Sequence, residues 1–365
     1  MELQKVGRLA VFKMRNIGDV LMITPVLRAL RETFPQAEIT VVVNSGTEEM
    51  LANNPHIDEV LVYRRSDGKQ GLLRRLRQEY ELARELRKRR FDLTIGFTEG
   101  DRTAWYSLLC GARYRFGIPR HSWSKFDPRR QGYHFPVYHT AEVMHEVERH
   151  FWLLENAGLK LRSTRPGNLC LVVTEEMRAW AAKELAPLRP ARVVHVHPVS
   201  RWLWKCWGIR EMAEVIDWLQ TERNARVVVT TGPAARELEQ AREMVRLCRT
   251  RPLFYEGNLS LSQIAALSAA SDGYFGVDTA PMHMAAAVGV PVVALFGPTN
   301  PRNWGPWTPV GQVLAKTCLC NAKGGTEACD WNQVRACLAA ITVPEAKAAL
   351  DQMLALRKTD LLATP

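Results

Sequence analysis

Three loops in this sequence carry side chains that could do chemistry, and each follows an apolar run with the composition of a buried strand. The first loop contains Asp19, a carboxylate of the kind that accepts a proton from a hydroxyl group. The second contains Lys205, and the third runs from Asp278 to His283. A lysine ammonium and the first amides of a helix both bind phosphate oxygens. These residue types suggest a carboxylate base and a site for a phosphorylated ligand. For each loop, a purely structural role is the alternative.

The first loop, residues 14–20, separates the strand-like run RLAVFK from a segment with helical spacing. It has no GxGxxG pattern, so the dinucleotide-binding turn is absent here. Gly18 permits a tight turn or a close approach of the backbone. Asp19 stands where we expect the N-cap of the following helix. Capping, worth roughly 1 kcal/mol, is therefore the alternative to proton transfer.

The second loop, residues 200–207, places Arg201 and Lys205 among three tryptophans, between a predicted strand and a predicted helix. Two cations with apolar walls are suited to holding an anion. An exposed loop whose tryptophans pack on the domain surface fits the same residues equally well.

The third loop follows a strand that we expect to end at Val277. Asp278 or Thr279 would cap the next helix, and Pro281 suits its first turn. The N-terminus of such a helix carries about half a positive charge, which attracts phosphate. A plain helix cap and a packed core histidine at His283 are the alternatives.

Strand and helix patterns alternate along the chain, which favours parallel pairing and a doubly wound α/β sheet. The pattern weakens around residues 157–176 and then restarts, so we expect two domains, 1–172 and 188–342. A last helix, within residues 343–360, would pack back on the first domain. We expect one continuous helix in DVLMITPVLRALRETF, ended by Pro35. The predicted strands are RLAVFK, EITVVV, EVLVY, FDLTIGF, ARVVHVH, ARVVVTTG, DGYFGV and PVVALFG.

The formal net charge of +11 favours an anionic partner. Residues 64–90 hold eleven Lys or Arg against four Asp or Glu, with leucines that could form one apolar helix face. This stretch is either a solvated face or a surface for anionic lipid or a phosphorylated glycolipid. A nucleic-acid-binding module is a rival interpretation, but no helix-turn-helix, RRM or zinc-finger pattern supports it.

The eight cysteines give little support for a metal site or a disulfide framework. Cys318 and Cys320 form a C-x-C pair rather than the C-x₂₋₄-C of common zinc folds, with Cys329 and Cys337 further on. The first residues show no secretory signal pattern, and the longest apolar stretch, residues 281–298, is interrupted by His283, Gly289 and Pro291. We therefore expect a cytoplasmic protein that meets a membrane only from its surface.

Several motifs together resemble one enzyme family, the ADP-heptose:lipopolysaccharide heptosyltransferases of glycosyltransferase family 9. Residues 15–21, followed by Pro25, Leu27 and Leu30, resemble the family's opening. Residues 145–149 resemble its H-x-V-x-R helix. Residues 277–287 and 294–299 resemble its donor-site signature, except that Ala280, Pro281 and Met282 replace a common Gly-Leu-Ser.

The resemblance implies a GT-B fold, with two Rossmann-like domains facing across a cleft. It also implies inverting transfer of L-glycero-D-manno-heptose from ADP-heptose to the lipopolysaccharide inner core at the inner-membrane surface, with no metal and no nucleic acid. The loop at 97–102 and the Pro-Met-His variant look more like the branch-adding heptosyltransferase III. Another nucleotide-sugar transferase, a nucleotide-sugar epimerase and a silent glycan-binding relative are the alternatives.

The same resemblance assigns roles to particular residues. Asp19 matches the catalytic base, and Lys205 matches the diphosphate-binding lysine. The expected donor-binding residues are Ser200, Arg201, Lys205, Glu237, Leu259, Asp278, Thr279, Ala280 and His283. The expected acceptor-binding residues are Asn16, Gly18, Glu99, Asp101, Arg102 and Arg120.

Overall fold

The computed structural model describes residues 3, 5–64, 71–124, 126–138, 142–316 and 336–356. It divides into two compact units, Met1–Cys170 and Leu171–Pro365. The division lies two residues before the expected end of the first domain. The segment between the two expected domains belongs to the second unit, where it forms the helix Glu175–Leu185.

The first unit is built on a six-stranded, fully parallel sheet with the order β3-β2-β1-β4-β5-β6. This is the doubly wound Rossmann order, in which the chain reverses direction across the sheet between the first and fourth strands. The carboxyl ends of β1 and β4 therefore lie side by side, where such sheets bind ligands. The strands are Arg8–Lys13 (β1), Glu38–Asn44 (β2), Glu59–Tyr63 (β3), Leu93–Gly96 (β4), Tyr114–Gly117 (β5) and Phe135–Pro136 (β6).

Helices connect these strands, and the first connection differs from the expected single helix. The segment forms two helices with a turn at Met22 and Ile23, because Pro25 lacks the N–H needed to continue the first helix and suits the start of the second. The helices of this unit are Ile17–Leu21 (α1), Thr24–Thr33 (α2), Leu72–Lys88 (α3), Asp101–Leu109 (α4) and Glu146–Asn156 (α5), with 3₁₀ turns at Glu48–Leu51 and Pro128–Gly132.

The second unit repeats the same sheet plan, with the order β12-β11-β10-β7-β8-β9. Its central strand, β7, pairs in parallel with β8 on one side and β10 on the other. The loops that follow β7, β8 and β10 therefore emerge at one edge. The strands are Val193–His197 (β7), Arg226–Thr230 (β8), Leu253–Tyr255 (β9), Gly273–Val277 (β10), Val292–Phe296 (β11) and Gly311–Ala315 (β12).

Helices cover this second sheet, and the last of them was predicted wrongly. We expected it to return to the first domain, but its apolar residues Ala346, Leu350 and Met353 lie in the core of the second unit with Phe275 and Leu295. The helices are Glu175–Leu185 (α6), Ile209–Thr221 (α7), Ala235–Leu247 (α8), Leu261–Ala270 (α9), Ala280–Ala287 (α10), Pro301–Trp304 (α11), Ala336–Ala339 (α12) and Val343–Ala355 (α13), with 3₁₀ turns at Ala186–Leu188 and Leu203–Lys205.

Asp217 joins α7 to the end of α8 and provides a test of this packing. Its buried carboxylate accepts hydrogen bonds from the amides of Arg249 and Thr250 and from the Thr250 hydroxyl. Burial alone would raise the pKa of Asp217, but these hydrogen bonds outweigh burial and lower it. A carboxyl with a depressed pKa stabilises the fold above its unfolded pKa, and that stability disappears as the pH falls.

We expect Asp217→Asn to lower the free energy of unfolding by about 2 kcal/mol at pH 7. The difference from the wild type should shrink as the pH falls below about 4, since the wild-type carboxyl then takes up its proton. Urea denaturation at several pH values measures both effects. Asp351→Asn is the matched control, because Asp351 pairs with Arg223 at the surface and should matter by less than about 1 kcal/mol. A pH-independent difference for Asp217→Asn would contradict this account.

Candidate functional site

A buried lysine organises the carboxyl end of the first sheet. Lys13 is the last residue of β1, and only 1% of its surface is exposed. Its ammonium donates to the Phe97 carbonyl oxygen at 3.3 Å and to Nε2 of His150 at 3.0 Å. Two carboxylates complete the surroundings, Glu146 at 3.5 Å and Asp19 at 3.8 Å. The ends of β1 and β4 and the helices α1 and α5 therefore meet around one positive charge.

Asp19 occupies a different helix position from the one expected. Asn16 is the N-cap of α1, and Asp19 is the third helical residue of a capping box. Its Oδ2 accepts from the Asn16 amide at 3.3 Å and from Asn16 Nδ2 at 3.2 Å. Its Oδ1 faces Lys13. Because the two oxygens have different partners, Asp19 is both a capping group and a largely buried carboxylate beside a cation.

His150 is the neutral member of this cluster. Burial is the main reason that its pKa lies well below the ordinary value, and the nearby charge of Lys13 lowers it further. An ammonium has only donors, so Nε2 of His150 accepts the hydrogen bond and its proton lies on Nδ1. The cluster therefore holds the cation Lys13 against the anions Asp19 and Glu146. Arg149 provides a second cation on Glu146, at 3.1 Å.

The acceptor residues expected from the sequence lie in the loops after β1, β4 and β5 and in the first turns of α1 and α4. Glu99 lies in the loop after β4, and Asp101 begins α4. Asp101 pairs with Arg129 at 3.1 Å and with Arg120 at 3.7 Å, whereas Arg102 turns to Glu79 of α3, at 3.1 Å. The sequence suggested Arg102 for the acceptor, and its guanidinium also forms an ion pair that joins α3 to α4. Asn16 and Gly18 lie in the Asp19 loop.

In the second unit, Lys205 and Asp278 come together from two neighbouring loops. Lys205 Nζ lies 2.5 Å from Asp278 Oδ2, and both side chains are largely buried. The rings of Trp202 and Trp204 stack on each other, and the ammonium lies 5.3 and 5.4 Å from their centroids. One carboxylate and two aromatic faces thus hold the ammonium in place, and an ammonium has three donors with which to contact an anion.

The start of α10 lies beside this pair. Thr279 is its N-cap, one of the two residues expected there, and Pro281 is in the first turn as predicted. The Thr279 hydroxyl donates to the Val277 carbonyl oxygen at 3.2 Å. Ala280 is the first helical residue, and His283 is buried within the same turn. The N-terminus of the eight-residue helix α10 and the Lys205 ammonium are therefore two positive features at the carboxyl end of β10.

The remaining expected donor residues surround the same edge. Ser200 is buried, and its hydroxyl accepts from the Trp202 amide at 3.2 Å. Arg201 lies over the Trp202 ring. Glu237 is in the first turn of α8, where burial raises its pKa and the Arg201 charge opposes that shift. Leu259 lies in the loop between β9 and α9 and is half-buried.

Three residues of these sites were given no role from the sequence, namely Lys13, Glu146 and His150 of the buried cluster. Trp204, one of the three tryptophans noted in the second loop, lines the Lys205 site. One signal was present for Lys13, since it ends an otherwise apolar strand directly before the Asp19 loop. No local signal joins it to His150, because the two residues are 137 positions apart.

The described residues were also compared with the requirements of metal sites and membrane spans. Among them, no group of three or more His, Cys, Asp or Glu side chains is arranged to hold a metal ion. Cys337 is buried, while Cys318, Cys320 and Cys329 lie outside the described residues. In the same part of the chain, no helix has the length and apolar character needed to span a membrane.

Comparison with known proteins identifies the family. Residues 79–328, more than half of the chain, match the sequence profile of glycosyltransferase family 9 (heptosyltransferase). Lipopolysaccharide heptosyltransferase 3 of Escherichia coli K12 is 32% identical over 302 residues, which cover 81% of this chain and 84% of that protein. The chain belongs to glycosyltransferase family 9. It is a heptosyltransferase, as the sequence motifs suggested.

Solved structures of relatives share the fold of this heptosyltransferase. A family 9 glycosyl transferase from Veillonella parvula has a TM-score of 0.81 at 24% identity, covering 97% of this chain and 98% of that one. The E. coli heptosyltransferase WaaC, solved with ADP-2-deoxy-2-fluoro heptose, has a TM-score of 0.66 at 18% identity, covering 94% and 99%. The predicted GT-B fold with two Rossmann-like domains is confirmed.

Proposed function

We propose that this heptosyltransferase transfers heptose from ADP-heptose to a lipopolysaccharide inner-core acceptor with inversion at the anomeric carbon. In this proposal the second unit holds the donor and the first unit supplies the base, Asp19. The observation that carries it is the Lys205–Asp278 pair beside the N-terminus of α10, within the region that matches the family profile. The ADP-heptose analogue bound by WaaC supports the choice of donor.

The chemistry of the donor site follows from the charge of the leaving group. As the bond between heptose and diphosphate breaks, negative charge grows on the departing ADP. Preorganised positive groups stabilise such charge more strongly than water does, because they need no reorganisation during the step. In this proposal Lys205 and the first amides of α10 contact the diphosphate, with Ser200, Arg201, Thr279, Ala280 and His283 around it. Glu237 and Leu259 are proposed for the ribose and adenine.

The acceptor side uses the carboxylate of Asp19. As the sugar hydroxyl attacks the anomeric carbon, Asp19 removes its proton, a role worth roughly 10² to 10⁴ in rate for typical enzymes. We propose Asn16, Gly18, Glu99, Asp101, Arg102 and Arg120 as residues that position the acceptor. The similarity to lipopolysaccharide heptosyltransferase 3 supports a branch heptose as the one added.

The test uses purified enzyme, ADP-heptose and inner-core acceptors with or without the branch heptose. Mass spectrometry should show one added heptose only on the acceptor that lacks the branch. Addition to a different core position would retain the transferase and refute the branch assignment. Conversion of the donor without any acceptor would favour an epimerase instead, and donor binding without turnover would favour a silent glycan-binding relative.

We also infer that α3 and α4 form a docking surface for an anionic lipid bilayer. Leu73, Leu76 and Tyr80 are exposed on α3, and Trp105 and Leu109 are exposed on α4. The groove along these helices is lined by Arg84, Arg87, Lys88, Arg90, Arg102 and Arg113, which outnumber its carboxylates Glu79, Asp92 and Asp101. Exposed apolar side chains among cations match a membrane with negative headgroups.

Vesicle sedimentation tests this surface. The enzyme should sediment with phosphatidylglycerol-containing vesicles and not with pure phosphatidylcholine. Arg84→Glu/Lys88→Glu should weaken that binding by about tenfold or more, since each charge near the membrane is worth about 1 kcal/mol. Arg246→Glu/Leu247→Ser, on an exposed part of α8, is the matched control and should bind normally. Equal binding by both variants, or binding only when acceptor glycolipid is present, would refute the bilayer assignment.

A further inference from the structure

Lys13 is an unusual feature of the first unit, because a lysine is rarely buried in a sheet. Placing a charge inside a protein is costly unless hydrogen bonds and opposite charges surround it. Lys13 has both: its three N–H donors face the Phe97 carbonyl oxygen, the His150 ring nitrogen and the carboxylate side of the cluster. The side chain is therefore held in one place as an ammonium.

Stability alone does not account for this arrangement. Well-packed apolar residues in place of a buried ion pair are often neutral or stabilising, so a buried charge is weak evidence for a stabilising role. The position of Lys13 in the sheet indicates a role in the neighbouring site. Lys13 ends the central strand of the sheet, where Asp19 follows it by six residues in the first loop.

We propose that Lys13 is a positioning residue that orients Asp19 for proton transfer and places its positive charge beside that carboxylate. This inference rests on the proposed role of Asp19 as the base. Two partners orient the carboxylate, since Asn16 binds Oδ2 and Lys13 faces Oδ1. Rotation about the carboxylate axis would break both interactions.

Glu146 limits the effect of the Lys13 charge on Asp19, because the Glu146 carboxylate interacts with the same ammonium. Its Oε1 lies 3.5 Å from Lys13 Nζ, slightly closer than Oδ1 of Asp19. Three further charged or titratable groups packed here belong to α5 and its N-cap. They are Arg149, which pairs with Glu146, the neutral His150, and His145, which caps the helix through Nδ1. A change at Lys13 and a change at Glu146 should therefore affect Asp19 in opposite directions.

The test is the pH dependence of kcat/KM for transfer. In Lys13→Met, Asp19 loses a positive neighbour while the negative Glu146 remains, so protonation becomes easier. We expect the acid limb of the profile to move up by about one pH unit and its plateau to fall several-fold. In Glu146→Gln, the Lys13 charge serves Asp19 alone, and the acid limb should move down by about half a pH unit or more.

The double variant Lys13→Met/Glu146→Gln separates an electrostatic role from a structural one. It removes one charge of each sign, so its acid limb should return towards the wild-type position. If the role of Lys13 were purely structural, the losses of kcat/KM from the two changes would add, and the acid limb of the double variant would not return towards the wild-type position. Glu148→Gln is the control, because Glu148 is exposed and its carboxylate accepts a hydrogen bond from the amide of the α5 N-cap. Its acid limb should not move.

Other outcomes would overturn the proposal. If circular dichroism shows that Lys13→Met does not fold, the pH profile of Glu146→Gln is the remaining test, and an acid limb at the wild-type position in that variant refutes the role of Lys13. If Asp19→Asn is inactive but the acid limb stays at the wild-type position in both Lys13→Met and Glu146→Gln, only the inference on Lys13 fails. If Asp19→Asn keeps its turnover, the base assignment and this inference fail together.

Discussion

Replacing Asp19 by asparagine should reduce heptose transfer by about 10² to 10⁴-fold while leaving ADP affinity within about twofold of the wild type. Asparagine keeps the size of the side chain and one acceptor oxygen for the Asn16 contacts, so α1 should still be capped. What it loses is the ability to take up the proton of the acceptor hydroxyl. Transfer is measured by mass spectrometry of the product, and ADP binding by calorimetry.

The capping role of Asp19 needs its own control, and the chain offers a close match. Glu148 occupies the third position of α5 and closes a capping box with His145, as Asp19 does with Asn16 in α1. Glu148→Gln should therefore change stability slightly and transfer very little. Equal losses of transfer in the two variants would indicate a folding effect, and near-normal transfer by Asp19→Asn would remove it from the base role.

Replacing Lys205 by methionine should weaken ADP binding by about tenfold or more and reduce transfer by about 10² to 10³-fold. Methionine can retain the apolar contacts with Trp202 and Trp204 but leaves Asp278 without its cation. The loss in transfer should exceed the loss in binding, because the charge on the leaving diphosphate increases during the reaction. Calorimetry with ADP and steady-state transfer assays measure the two effects.

Lys183→Met, on the exposed face of α6, is the matched control for Lys205 and should be close to wild type in both assays. Unchanged ADP affinity in Lys205→Met would refute the phosphate assignment. A strict requirement of the wild-type enzyme for a divalent cation would show that a metal, rather than Lys205, carries the charge of the leaving group.

The loops that form the proposed donor site were largely predictable from local sequence. Each of its loops follows an apolar run, and in a doubly wound sheet the carboxyl ends of neighbouring strands lie at one edge. The capping position of Thr279 and the place of Pro281 were also correct, because both depend on backbone geometry within a few residues. The direct contact of Lys205 with Asp278, 73 positions away, required the strand order β10-β7.

The sequence patterns missed surroundings that come from distant parts of the chain. The packing of α3 on α4 gives the guanidinium of Arg102 the partner Glu79. The last helix has an apolar face that any neighbouring sheet could bury, and the second unit does so. The break between α1 and α2 had a local cause in Pro25 that the helical spacing concealed.

The family, eight of the twelve strands of the described residues and the loops that bear Asp19, Lys205 and Asp278 were all predictable from the sequence alone. These follow from apolar periodicity, helix-start residues and motif order, all of which are short-range properties of the chain. Which charges meet depends instead on how the folded chain packs. The tertiary structure brought Lys13 to Glu146 and His150 across more than a hundred residues, because burial makes a cation's partners depend on packing rather than on neighbours in sequence.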